Sequence, residues 1–330
     1  MAMDYSLNVR ILSGKEVAGL LDIQDVMDVV EETFCALGRG AVFHPVKEPM
    51  WLNDNKTNML IAMPAFLSER KLAGVKWVNM FKEQQPGFPT VGGTILVLNS
   101  SENGQPYAIM EATPITTMRT AGGHGAIAAK YLAKKNSKRL SIIGCGNEAR
   151  SGVDALLRLF SLNEILVYDL STSAMQNFGD YVGDRCVVKK CSSAKEAVSE
   201  CDIVFTVTTS RKPVVMFDWL KKGCTVLGMY SLYDLDPACA KRADKWVLGS
   251  KFTDNHQIVF DPLLKDHELS MDNVYADLCE IVTGKLPARE SDEEIIVFTC
   301  LGMGALDTAV GEIVYKRAVE KGIGTVLNLA

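Results

Sequence analysis

A chain of 330 residues, 48% hydrophobic and 23% charged, has the composition of a soluble globular protein with room for two domains. Its formal charge of −5 gives no electrostatic footing for nucleic acid or an anionic membrane, and no apolar run reaches the ~20 residues a membrane helix needs. Nine cysteines without a C-x-x-C pair, and scattered His44, His124, His256 and His267, predict reduced thiols in a cytoplasmic protein and no metal site. Residues 1–10 lack the basic-then-apolar layout of a secretory signal.

Ser13-Gly14-Lys15-Glu16 has capping-box spacing and opens a short helix through Val17, Leu20 and Leu21. A second helix from about Ile23 to Leu37 gathers Val26, Val29, Val30, Phe34 and Leu37 on one face. After His44-Pro45 the apolar period shortens, predicting strands over Asn58–Ala65, Leu72–Phe81, Gly93–Leu98 and Pro106–Glu111. The last two are joined by a hairpin loop, Ser100 to Gly104, with Asn-Gly at its end. Two helices followed by successive strands indicate an α+β domain.

From Pro114 a helical pattern (Met118, Ala121, Ile127, Ala128, Leu132) leads into a short apolar strand, Leu140 to Ile143. Further strands at Ile165–Asp169, Val187–Lys190, Asp202–Thr208, Cys224–Met229 and Lys245–Leu248 alternate with helices. That alternation indicates a doubly wound parallel sheet, so the fold class is α/β. A strand over Ile295–Cys300 and a helix from about Ala305 close the chain.

The first strand of this second part runs into Gly144-Cys145-Gly146-Asn147-Glu148-Ala149 and then a helix with Val153, Leu156 and Phe160 on one face. Gly144 permits a tight turn, Gly146 lets the backbone approach a pyrophosphate, and Ala149 allows close helix–strand contact. The following strand ends in Asp169, placed to accept hydrogen bonds from an adenosine ribose. Leu-Ser-Thr-Ser follows, with no arginine or lysine before Asp180, so NAD is favoured over NADP; the alternative is that Asp169 caps a helix. Ligands of open α/β sheets sit beyond the carboxyl ends of strands, which adds Thr208 and Thr209 after one strand and Gly228, Met229 and Tyr230 at the next.

Two cations stand out in the first part. Lys76 interrupts the apolar strand Ala73–Val78, and Arg119 lies in Thr116-Thr117-Met118-Arg119-Thr120-Ala121 ahead of an alanine-rich helix. Lys76 could merely extend its stem over apolar surface. Alternatively, the pair grips a carboxylate, with arginine supplying bidentate geometry.

Together these motifs resemble the ornithine cyclodeaminase/mu-crystallin family over nearly the whole chain. The likeness runs through His44-Pro45-Val46-Lys47, Met63-Pro64-Ala65, Gly74-Val75-Lys76-Trp77-Val78-Asn79, Pro89-Thr90, the Arg119 segment, the Gly144–Ala149 turn and Gly302-Met303-Gly304-Ala305-Leu306-Asp307. The resemblance implies a homodimer in which residues 1–118 with 303–330 bind substrate and pair the subunits, while residues 119–302 bind NAD. It implies a small amino, imino or 2-oxo acid as substrate, contacted by Lys47, Met63, Lys76 and Arg119. Cofactor contacts implied are Thr90, Arg119, Asn147, Glu148, Asp169 and Thr209, with Gly228 and Met229 beside the nicotinamide.

Three departures bear on chemistry. Where cyclodeaminases carry Gly-x-Asp-x-x-Gly-Lys-x-Glu-Leu, this chain reads Gly228-Met229-Tyr230-Ser231-Leu232-Tyr233-Asp234-Leu235, without the catalytic aspartate. Lys47 replaces a family arginine, and Cys300 a serine. Mu-crystallin-like ketimine reductases also lack that aspartate. The expectation is therefore hydride transfer at an α-carbon, with Lys76, Asp307, Tyr230, Tyr233 or water moving the proton. Asp307 could equally be a favourable first-turn charge. Alternatives are cyclodeamination of ornithine or a relative with release of ammonia, and a non-catalytic binding protein or amine oxidase subunit, since a family subgroup named for tyramine oxidase is also similar. Met50, Trp51, Trp77, Met80 and Phe81 read either as core or as a receptor for a bulky side chain.

Overall fold

The computed structural model describes residues 6–81, 91–230, 232–252 and 269–330. Two units divide the chain: Met1–Arg119 with Met303–Ala330, and Thr120–Gly302.

The first unit holds β1 (Asn8–Leu12), α1 (Gly14–Leu20), α2 (Ile23–Gly38), β2 (Val42–Phe43), β3 (Met50–Trp51), β4 (Asn58–Leu67), β5 (Leu72–Phe81), β6 (Val91–Ser100), β7 (Pro106–Glu111) and α3 (Thr113–Thr117). The anticipated capping box starts α1: Ser13 accepts from the Glu16 amide while Glu16 reaches back to the Ser13 amide. Strands β4 to β7 form an antiparallel meander, extended at its edges into an eight-stranded sheet.

Strand β1 has no counterpart among the sequence expectations. It runs parallel to β7 and antiparallel to β16 (Thr325–Asn328) at the far end of the chain. Five and four residues carry too little local pattern to announce strands whose partners are distant in sequence. Side chains along β4 and β5 alternate: Met63, Ala65, Leu67, Leu72, Gly74 and Lys76 turn inward, while Pro64, Phe66 and Trp77 turn outward.

The second unit holds α4 (Ala126–Leu132), β8 (Arg139–Ile143), α5 (Asn147–Leu159), β9 (Glu164–Tyr168), α6 (Thr172–Val182), β10 (Val187–Lys190), α7 (Ala194–Val198), β11 (Ile203–Thr206), β12 (Thr225–Gly228), α8 (Ala238–Arg242), β13 (Lys245–Leu248), β14 (Ala276–Asp277), α9 (Leu278–Val282) and β15 (Ile296–Thr299). All neighbours in the sheet order β10-β9-β8-β11-β12-β15-β13-β14 are parallel. The doubly wound reading holds. β11, β12, β13 and β15 are buried along their whole length, as strands covered on both faces must be.

Helix α10 (Gly304–Glu320) returns to the first unit and packs on β4, β5 and β6. It is buried on every side from Gly304 to Glu312. Small residues permit the close approach: a Cβ at Gly74 would lie 2.7 Å from Thr308 Oγ1. Among the described residues no helix is long and apolar enough to cross a membrane, and no group of three or more His, Cys, Asp or Glu is placed to hold a metal.

Candidate active site

The parallel register sets the first neighbourhood. It aligns Ile143, Tyr168, Thr206, Gly228 and Thr299 across the sheet, so Gly144, Asp169, Val207, Met229 and Cys300 leave it at one level. β8 lies between β9 and β11, where the strand order reverses, the usual place for a ligand crevice.

The two glycines of the turn are there for different reasons. Gly144 has φ +93°, and a Cβ there would meet Val207 O at 2.8 Å, so both backbone conformation and space demand glycine. Gly146 has an ordinary φ of −84°, and a Cβ would find no atom of the described residues within 4 Å. Among the described residues nothing requires glycine at that position. It leaves open the amino end of α5, whose N-cap Gly146 offers no side chain to satisfy the first helical amides. Asn147, Glu148 and Ala149 form the first turn. An anion suits this end both by hydrogen bonding and by the helix dipole, so the residues present fit a dinucleotide.

Asp169 is not a helix cap. Ser171 caps α6, accepting from Ala174 N, whereas the Asp169 carboxylate accepts from Cys145 N and Ser171 N, both at 2.8 Å. The acid is thereby anchored beside the glycine turn. Burial pushes the Cys145 thiol up to about 12, so its backbone amide, not its sulfur, is the useful group. Met229 is buried against Gly125, where an added Cβ would meet its sulfur at 2.9 Å. Thr208 and Thr209 follow β11 at the same edge, and Thr90 lies outside the described residues.

The second neighbourhood belongs to the first unit. Lys76 on β5 is only 2% exposed and so does not extend its stem to solvent. Its Nζ is 2.6 Å from Asp307 Oδ2, and Arg119 Nε donates to Asp307 Oδ1 at 2.9 Å. The lysine contact lacks hydrogen-bond alignment, leaving Oδ2 without such a bond among the described residues, but at that distance Coulombic attraction needs no alignment. Asp307 is fully buried in the first turn of α10, so it is the counter-ion of two buried cations and more than a dipole charge. Arg119 Nη1 is buried and has no hydrogen-bond partner among the described residues.

Arg119 also has an unforeseen backbone. Met118–Gly125 is π-helical, between α3 and α4, a conformation that concentrates at functional sites. Met63 pairs with Lys76 across β4 and β5 and is buried on the same inward face. Lys47, half-buried in the loop after β2, lies near His44, whose pKa is depressed to about 4 by burial and then by the Lys47 charge. Tyr230 and Tyr233 stack at 5.0 Å, with the Arg211 guanidinium 5.9 Å from the Tyr233 ring. Met50, Trp51 and Trp77 are exposed and do not form core.

A doubly wound sheet with an open glycine turn, joined in one chain to an α+β unit carrying buried cations, defines a Rossmann-type α/β protein with a separate second unit. The chain belongs to the ornithine cyclodeaminase/mu-crystallin family, whose family model matches residues 8–322. It is 37% identical over 324 residues to the alanine dehydrogenase of Archaeoglobus fulgidus, covering 97% of this chain and 98% of the relative. Among solved structures, an archaeal alanine dehydrogenase dimer with bound NAD superposes with a TM-score of 0.90 at 34% identity, covering 98% of this chain and 100% of the other. The Thermococcus litoralis Δ1-pyrroline-2-carboxylate reductase, in complex with NADH and L-proline, gives 0.88 at 29% identity, covering 96% and 99%.

Proposed function

We propose that the protein is an NAD(H)-dependent oxidoreductase acting at the α-carbon of a small amino acid, imino acid or 2-oxo acid. The observation that carries this reading is the Arg119 guanidinium, fully buried, aligned by Asp307 through Nε and with an Nη1 that has no hydrogen-bond partner among the described residues. An unmet buried donor costs about 1–3 kcal/mol, and a substrate carboxylate meets it. Lys76 adds positive potential beside it. Alanine and proline, named in the similar proteins, carry such a carboxylate next to a reacting α-carbon.

Gly144, Gly146, Asn147, Glu148, Ala149 and Asp169 hold NAD, with Thr208, Thr209, Gly228 and Met229 along the same edge. NAD supplies or accepts the hydride when bound. Asp169 favours the free ribose hydroxyls of NAD over the phosphate of NADP by charge. Arg119 binds and orients the substrate carboxylate. Locked between two cations, Asp307 orients these groups instead of carrying a proton. Lys76 can release a proton where arginine cannot, and is our choice for exchange with the substrate nitrogen. A cytoplasmic setting accords with nine free cysteines. We place substrate binding and subunit pairing in the first unit.

The test follows NADH absorbance with purified protein. NAD is offered with alanine, proline, lysine, ornithine or tyrosine, and NADH with 2-oxo acids plus ammonium or with cyclic imines. Sustained net turnover is expected for at least one substrate, and Arg119→Ala should lower kcat/KM by about tenfold to a hundredfold, the loss of one charged hydrogen bond. A flat trace with ammonia release would make the protein a cyclodeaminase instead. A flat trace without ammonia, NADH still binding, would leave a binding protein.

A further inference from the structure

We propose that Asp234 is a positioning residue of the cofactor site, whose buried carboxyl fixes the Thr208 hydroxyl and, through that residue, the wall of the glycine turn. The inference rests on the reading of the sheet edge as a dinucleotide site, and adds to it a residue outside the glycine pattern.

Asp234 lies in the loop after β12 and is fully buried. Its Oδ1 accepts from Thr206 Oγ1 at 3.3 Å and its Oδ2 from Thr208 Oγ1 at 2.9 Å. Its main-chain oxygen accepts from Val214 N at 2.8 Å, so both the backbone and the side chain of Asp234 are tied to the segment after β11. Among the described residues it forms no ion pair. Burial accordingly pushes the acid up to about 6, against the opposing pull of the two threonine hydroxyls.

A carboxylate accepts on both oxygens and donates on neither, so it obliges both threonine hydroxyls to point inward. Thr208 Oγ1, its proton committed to Asp234, in turn accepts from Ser210 N at 3.1 Å. That fixes the rotamer and leaves the methyl facing the turn: a Cβ at Gly144 would lie 3.2 Å from Thr208 Cγ2 and 2.8 Å from Val207 O. The order of contact is therefore Asp234, Thr208, Gly144. An apolar residue would fill the space of Asp234 without the cost of burying an acid, but would release the threonine hydroxyl to turn outward. An acid retained at such a cost points to a task at the sheet edge and not to packing.

The experiment measures NADH dissociation constants by tryptophan-to-nicotinamide energy transfer for wild type, Asp234→Asn, Thr208→Val and the double variant, with thermal melts of each. Each carboxylate oxygen accepts one hydroxyl here, and asparagine replaces one of those oxygens with a donor nitrogen. Asp234→Asn and Thr208→Val should each weaken NADH by about tenfold, and the double variant should be no weaker than Thr208→Val alone, because the acid acts through that hydroxyl. Independent, additive losses would overturn the proposal, as would wild-type affinity in either single variant. Should Asp234→Asn fail to fold, Thr208→Val decides by the same criterion. If wild type itself does not bind NADH, the dinucleotide reading falls, a result distinct from failure of the positioning role.

Discussion

Burial, with no ion pair among the described residues, pushes Asp234 up to about 6, against 3.8 for an ordinary aspartate, with desolvation the largest cause. The folded protein then holds this proton more tightly than the unfolded chain, so its contribution to stability falls as pH rises from about 4 through about 6. The loss integrates to roughly 3 kcal/mol. Asp277, also raised to about 6 by burial, adds a change of the same sign. His44, depressed to about 4, works oppositely, since its unfolded form gains a proton first as pH falls below about 6.5. Comparing Asp234→Asn with wild type at each pH cancels both. Urea denaturation should show the variant gaining about 1–3 kcal/mol on wild type between about pH 4.5 and 7.5. A difference independent of pH would mean that folding leaves the Asp234 pKa unshifted. The same residue marks a limit of sequence reading. Attention goes to Tyr230, where cyclodeaminases carry their aspartate, and passes over the acid four positions later. Lys76 and Arg119 were legible because charge interrupts apolar or alanine-rich stretches. Their shared partner Asp307 was legible as a candidate proton carrier or a helix-start acid but not as their counter-ion, since its pairing with Arg119 spans 188 residues and leaves no local trace.

Elements were legible where period and punctuation agreed. Ser13 and Glu16 announce α1, and the alternation of strand and helix announces the parallel sheet. The π-helical turns over Met118–Gly125 read as ordinary helix, because apolar residues at Met118, Ala121 and Ile127 satisfy a helical period without fixing which carbonyl each amide meets. Glycines separate packing from ligand binding at this scale. Gly74→Ala drives a methyl into Thr308 on α10, the helix that carries Asp307, and should cost about 1–3 kcal/mol of stability by overpacking. Gly146→Ala meets no atom of the described residues, so it should melt near wild type while NADH binding drops by about tenfold or more. Calorimetry paired with NADH titration distinguishes the two. A Gly146→Ala protein that binds NADH normally would remove the pyrophosphate from that turn.

At the scale of the molecule, the change of apolar period after Pro114 divides one kind of architecture from another, which is why two units could be anticipated. Which sheet face would remain uncovered could not, because exposure depends on which helices return to the sheet. Helix α10 covers the inward face of β4, β5 and β6, and register puts Phe43, Met50, Phe66 and Trp77 together on the opposite face. All four are at least 37% exposed, a large apolar surface for a sheet already packed on its other side. The archaeal alanine dehydrogenase that superposes on this chain is a dimer. A second copy seated on this face would bury the four side chains through a two-fold interface, where each residue meets the same patch of its partner. Sedimentation should therefore find wild type at twice the chain mass. Trp77→Glu places a carboxylate from each subunit in the interface and should raise the dimer dissociation constant by at least about a hundredfold, while Lys76 on the inward face keeps its contact with Asp307. A wild-type monomer at micromolar concentration would end the dimer reading. A Trp77→Glu dimer as tight as wild type would retain pairing but move it to another surface, with the outer strand β16 and its exposed Val326 and Leu327 next to test.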